Sequence, residues 1–175
     1  MVVIPAYNEV VAAAKLLDRI ADVMIWLSLV EYSVFVVDDG STDSTASIMK
    51  RKKANASSTN QAWQESGFGT AIRDGFLECA KLCVSGDIII SLDADNTHTP
   101  SLIPEMLIKI QQGYDIVKAS SYQNKSKTMG VPMLRQFMSY IASFKFRLLF
   151  SISGVKDYTC GYRAYLPGGG HEECF

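Results

Sequence analysis

The sequence predicts an α/β domain built on a largely parallel sheet flanked by helices. Three observations carry this. Apolar runs recur at residues 2–4, 34–37 and 88–92, the last broken only by Ser91, the pattern of strands covered on both faces. Stretches with helical periodicity separate them. Carboxylates stand at the ends of two of the runs, Asp38-Asp39 and Asp93-Ala94-Asp95, where ligands of open α/β sheets bind.

The elements follow in order. Residues 2–4 read as a short buried strand stopped by Pro5. Asn8 is placed to cap a helix over residues 9–27, whose apolar positions are Val11, Leu16, Leu17, Ile20, Val23 and Met24. Residues 32–37 form the next strand, and the turn over 38–43 opens a helix reaching Lys53. Residues 55–61 are polar and strand-poor. A helix over 67–84, a strand over 87–92, a helix over 101–112 with Pro104 in its first turn, and a strand over 114–119 complete the pattern. Residues 123–130 are a polar link. Residues 132–152 set Arg135, Lys145 and Arg147 among large apolar residues; such a stretch can lie in a membrane interface or pack on the sheet. Residues 166–175 have no periodicity and predict a disordered end, so one domain is expected over 1–165.

At 175 residues the chain can bury one core, and 48% hydrophobic with 20% charged residues is ordinary globular material. A net charge of -1 supplies no basic field for nucleic acid. Cys79, Cys83, Cys160 and Cys174 lack paired metal-ligand spacing; Cys79 and Cys83 read as small hydrophobes on one helix, and a reducing, cytoplasmic compartment is expected. The first residues lack a signal-peptide pattern, and no unbroken apolar run reaches about 18 residues, so no membrane span is expected.

Asp93 and Asp95 are one residue apart at a strand exit, so in an extended segment both face one site. Two such carboxylates repel unless a cation sits between them, and a divalent ion that also holds a diphosphate would serve. Tyr7 can lie against a nucleobase or pack as an ordinary aromatic. Asp38 and Asp39 can accept from a base imide or ribose hydroxyl, or the turn with Asp43 can cap a helix. Gly67 and Gly69 precede a helix and permit close approach of an anion, or simply make its turn. Arg135 and Arg163 can grip phosphate or form surface ion pairs. Asp157 can act as a base on an acceptor hydroxyl or hold the fold. His98 reads as structural.

Five segments in order resemble the family 2 glycosyltransferases of the GT-A fold, most nearly the dolichol-phosphate mannose synthases and related polyprenyl-phosphate glycosyltransferases. They are Val2-Val3-Ile4-Pro5-Ala6-Tyr7-Asn8-Glu9, Val36-Val37-Asp38-Asp39-Gly40-Ser41-Thr42-Asp43, Gly67-Phe68-Gly69-Thr70-Ala71-Ile72-Arg73, Leu92-Asp93-Ala94-Asp95-Asn96-Thr97-His98-Thr99-Pro100 and Asp157-Tyr158-Thr159-Cys160-Gly161-Tyr162-Arg163-Ala164-Tyr165. The resemblance implies an inverting transferase that moves a hexose from a UDP- or GDP-sugar to a polyprenyl phosphate, with peripheral contact at the cytoplasmic membrane face. It implies nucleotide-sugar contacts at Pro5, Tyr7, Glu9, Asp38, Asp39, Gly67, Gly69, Asp93 and Ala94, with the base contact on Asp39. It implies Mg²⁺ or Mn²⁺ held by Asp95, with Asp93 sharing it and Thr97 completing the shell. Asp93, Asp95 and Asp157 are the candidate catalytic residues, and Arg135 and Arg163 the candidate acceptor-phosphate ligands. A family 2 transferase acting on a glycan or protein hydroxyl, and a non-catalytic nucleotide-binding module, are the rival readings.

Overall fold

The structure is a computed structural model and describes residues 1–28, 31–53, 62–63, 68–119 and 160–168. These fall into two compact units, Met1–Val117 with Tyr162–Phe175, and Lys118–Gly161, the second described only at residues 118, 119, 160 and 161. The site lies in the first.

In chain order the elements are β1 (Val2–Ala6), α1 (Val10–Trp26), β2 (Val34–Asp38), α2 (Thr45–Lys53), β3 (Ala62–Trp63), α3 (Phe68–Leu82), β4 (Ile89–Ser91), a 3₁₀ turn (Pro100–Leu102), α4 (Ile103–Gln111), β5 (Ile116–Lys118) and β6 (Arg163–Tyr165). They form one sheet in the order β3-β2-β1-β4-β6-β5. β1 runs parallel to β2 and β4, and β2 parallel to β3; β6 is antiparallel to β4, pairing Arg163 with Ser91. The sheet is therefore mixed, with a parallel half matching the apolar runs. Ala62 and Trp63 pair with Val36 and Val37, so a strand edge forms just after the polar residues 55–61, which lie outside the described residues.

Both faces of the central strands are buried. Val3, Phe35, Val37 and Ile89 form one cluster with Cys79, against which Met1, Phe76 and Cys83 pack. Helix α3 covers β1 and β2 on that side, and α1 packs along α2 and the 3₁₀ turn. Helix α1 buries Leu16, Leu17, Ile20 and Met24 of the expected stripe, together with Ala13, whereas Val11 is exposed and Val23 half-buried. Burial pushes the Cys79 thiol up to about 12, so it behaves as a hydrophobe and not as a thiolate.

Two expectations change. Pro5 does not stop β1: the strand continues to Ala6, with Pro5 buried and opposite Val37. The amides of Ile90 and Leu92 donate to the carbonyls of Met1 and Val3, so odd-numbered residues of β1 face β4. By alternation the donor that proline lacks faces β4 at a level where β4 has already ended at Ser91, and no ladder bond is lost. Asn8 does not cap α1 either. Glu9 occupies that position without a side-chain cap bond, and Asn8 lies at φ 53°, turned toward the loop after β2.

Candidate active site

The site forms where β1 and β4 part. Successive crossovers leave β1 toward β2 on one side and return to β4 on the other, which makes a crevice at their carboxyl ends. An open cleft of about 350 Å³ lies there, lined by Asn8, Glu9, Val10, Val11, Ala12, Lys15, Asp95 and Asn96.

One wall is the loop after β1, locked to the loop after β2. The Asn8 side-chain oxygen accepts from the amides of Thr42 (2.8 Å) and Asp43 (3.3 Å), while the Asn8 amide donates to Ser41 Oγ at 2.9 Å. The Glu9 amide donates to Oγ1 of Thr45, a fully buried residue, at 3.0 Å. Thr45 in turn donates its hydroxyl and its amide to Asp43, which thereby takes up the first amide of α2. These bonds, the Thr45 hydroxyl first, hold the Asp43 carboxyl below its ordinary value of 3.8. Asp38 accepts from the amide and hydroxyl of Ser41 and so closes its own turn.

Asp39 differs from both. Its amide donates to the Ala6 carbonyl at 2.9 Å, one step beyond the β1–β2 ladder. Its side-chain Oδ1 is buried and has no hydrogen-bond partner among the described residues. A buried carboxylate oxygen left this way is costly unless a ligand donates to it. Tyr7, nearby on the loop after β1, is 54% exposed, which removes the reading of a packed core aromatic.

The other wall is the segment after β4. The chain leaves the extended conformation beyond Leu92, turns through Ala94 and Asp95, and reaches Asn96 at φ 58°. Ala94 is buried beneath the turn. Because the segment turns, the two carboxylates do not point alike. Asp95 lines the cleft, and its Oδ1 accepts from the amide (3.0 Å) and hydroxyl (2.7 Å) of Thr97. Asp93 Oδ2 stands 3.4 Å from His98 Nε2, and the His98 ring lies 5.3 Å from that of Tyr162. Tyr162 is fully buried and donates its hydroxyl to the Thr99 carbonyl at 3.3 Å.

Among the described residues no group of three His, Cys, Asp or Glu side chains converges. Sparse carboxylate oxygens suit a hard ion that keeps water and takes further oxygens from a substrate phosphate. Asp95, on the cleft, offers such an oxygen, whereas Asp93 is turned to His98 and is not among the residues that line the cleft. The Thr97 hydroxyl here holds the Asp95 carboxylate.

Of the remaining expected site residues, Pro5 is buried in β1, Glu9 borders the cleft, and Gly69 lies in the first turn of α3. Arg163 is half-buried in β6 opposite Ser91, two residues before Asp93. Gly67, Arg135, Asp157, residues 132–152 and most of 166–175 lie outside the described residues. The sequence reading passed over Arg19, whose Nη1 donates to Asn96 Oδ1 at 2.6 Å and approaches the His98 carbonyl at 3.5 Å. A signal existed: Arg19 shares the apolar stripe of Leu16, Ile20 and Val23, a place where a cation needs a partner. Among the described residues no helix is long and apolar enough to cross a membrane.

Residues 1–167 match the family described as Glycosyl transferase family 2. A dolichol-phosphate mannosyltransferase of Pyrococcus furiosus is 32% identical over 170 residues, covering 93% of this chain and 45% of that protein. An undecaprenyl-phosphate 4-deoxy-4-formamido-L-arabinose transferase of an Enterobacter species is 34% identical over 169 residues, covering 94% of this chain and 47% of that protein. The chain thus spans about half the length of these relatives. Among solved structures, the glucosyl-3-phosphoglycerate synthase of M. tuberculosis aligns with a TM-score of 0.65 at 22% identity, over 95% of this chain and 56% of that one. The same enzyme has been solved with Mn²⁺, UDP and phosphoglyceric acid, and that structure aligns with a TM-score of 0.58 at 23% identity, over 95% of this chain and 55% of that one. These neighbours share the GT-A fold.

Proposed function

The chain belongs to glycosyl transferase family 2, and from that premise we propose that it moves a hexose from a UDP- or GDP-sugar to a polyprenyl phosphate, with inversion at the anomeric carbon. The observation that carries the nucleotide half is the pairing of Asp39, with its buried unpartnered oxygen, and the exposed Tyr7 at the carboxyl ends of β2 and β1. A base imide N–H would satisfy that oxygen, and the Tyr7 ring would offer a stacking face. The support for the acceptor half is that two similar proteins are named for dolichol phosphate and undecaprenyl phosphate.

In this reading Asp95 and Asp93 hold Mg²⁺ or Mn²⁺ beside the diphosphate, and Thr97 keeps the Asp95 carboxylate in place. The bound ion would supply Lewis-acid stabilisation of charge on the departing nucleoside diphosphate. An acceptor phosphate is already anionic and attacks without a base, so Asp157 is needed as a base only if the acceptor is a hydroxyl. Arg163 and Arg135 are the proposed phosphate ligands, because a guanidinium gives a phosphate two parallel hydrogen bonds. A lipid-linked acceptor requires that the protein meet the membrane surface, on its cytoplasmic side in this proposal.

The test is a panel of UDP- and GDP-sugars with Mg²⁺ or Mn²⁺, offered a short polyprenyl phosphate or hydroxyl acceptors. Transfer to the polyprenyl phosphate is expected. Transfer only to hydroxyls would replace the acceptor, and nucleotide binding without transfer or hydrolysis would leave a binding module.

A further inference from the structure

We infer that Arg19 is a positioning residue for the Asp93-Ala94-Asp95 turn and acts on it through Asn96. Arg19 lies on α1, remote in sequence from the turn, yet its Nη1 donates to Asn96 Oδ1 at 2.6 Å and approaches the His98 carbonyl at 3.5 Å. Those two acceptors flank Thr97, whose amide and hydroxyl both grip Asp95 Oδ1. Asn96 is the residue that turns the chain, at φ 58°, and it lines the cleft beside Asp95. A left-handed residue is tolerated for asparagine and persists where its surroundings hold it. Here the hold comes from a half-buried guanidinium, a single nitrogen of which, Nη1, reaches both acceptors. The order of action runs from α1 through Arg19 to Asn96 and His98, then to Thr97, and so to the Asp95 carboxylate.

The metal arm of this inference rests on the function proposed above; the anchor itself does not. Two measurements on the full chain separate them. The first is amide hydrogen exchange at Thr97 without metal or nucleotide. Arg19→Ala should accelerate it, and Arg19→Lys, a point donor, should restore part of the protection. The second is Mn²⁺ binding followed by water-proton relaxation with UDP or GDP present. Arg19→Ala should weaken Mn²⁺ by about 10- to 100-fold, the range for residues that orient metal ligands. Asn96→Gly keeps the left-handed backbone and removes the acceptor, so it should reproduce the loss even if Arg19→Ala folds poorly. The double variant should be no weaker than either single one. Unchanged Thr97 exchange, unchanged Mn²⁺ affinity, or additive losses would each overturn the inference. A wild-type chain that takes up no Mn²⁺ with either nucleotide counts against the proposed function, and the exchange measurement then decides the anchor alone.

Discussion

The amide of Asp39 donates to the carbonyl of Ala6 at 2.9 Å, and this bond closes the carboxyl ends of β1 and β2 around one point. The backbone of Asp39 is satisfied by it, while the side-chain Oδ1 remains buried without a partner among the described residues. Asp39→Ala should therefore leave the melting temperature of the ligand-free protein unchanged or raise it, because a costly buried oxygen is removed. The same change should weaken UDP or GDP binding by about 1.5–3 kcal/mol, as measured by titration calorimetry. Unaltered nucleotide affinity would remove Asp39 from the base site.

Metal and nucleotide should bind as a pair. Among the described residues no three acidic, histidine or cysteine side chains converge, so a bound ion would need oxygens from the diphosphate. Mn²⁺ alone should barely move the melting temperature, whereas Mn²⁺ with UDP or GDP at 100 times the dissociation constant should add about 2.7 kcal/mol. Asp95→Asn should abolish that increment and lower metal-dependent turnover by about 100-fold or more while the fold is retained. A full shift with Mn²⁺ alone would point to a complete protein cage instead.

Acid should weaken the joint between the first two loops. Folding lowers the Asp43 carboxyl from 3.8, so the unfolded chain binds more protons in the window below that value. This contribution is complete above about pH 5 and fades as pH falls through the depressed folded value. Thr45→Val removes the hydroxyl bond to Asp43 and also strips the Glu9 amide of its acceptor. The variant should lose about 1–3 kcal/mol near neutral pH, and its deficit should narrow as pH falls. Thr45→Ser should behave like the parent in the same series of denaturation curves.

Gly75 sets the distance between α3 and the sheet. A methyl group at that position would stand 2.6 Å from Val37 Cγ2 and 3.2 Å from Val3 Cγ1. Valine is stiff about χ1, so the neighbour cannot swing away cheaply. Gly75→Ala gains about 1 kcal/mol of helix propensity. Overpacking costs about 1–3 kcal/mol. A net loss is expected in urea denaturation, and Gly75→Ala combined with Val37→Ala should fail to add the two single losses, since the second opens room for the first. Strict additivity would show that the helix simply shifts.

Much of this arrangement is legible in the residues. The runs 34–37 and 88–92 announce buried strands, and β2 and β4 lie within a residue or two of them. The stripe from Leu16 to Met24 names the buried face of α1. The Asp93–Asp95 pair singles out that strand end because few arrangements tolerate two acids there, and of the two only Asp95 lines the cleft. Less legible was Asn8, whose position before a helix invites the reading of a cap. Its oxygen instead serves Thr42 and Asp43, residues 34 and 35 positions away, and no local pattern carries such a bond.

The sequence by itself determined β1, β2, β4 and β5, the helices between them and the types of side chain at those strand ends, because periodicity and β-branched runs act over a few residues. β3 and β6 are not among the expected strands. Only the tertiary structure decided how those side chains stand. It let Pro5 remain in β1 because β4 ends beside it, inserted β6 antiparallel against β4, turned Asp93 toward His98 and Asp95 toward the cleft, and set Arg19 against Asn96. Each of these depends on groups that meet only once the chain has folded, so their geometry follows from packing and hydrogen-bond satisfaction and not from neighbouring sequence.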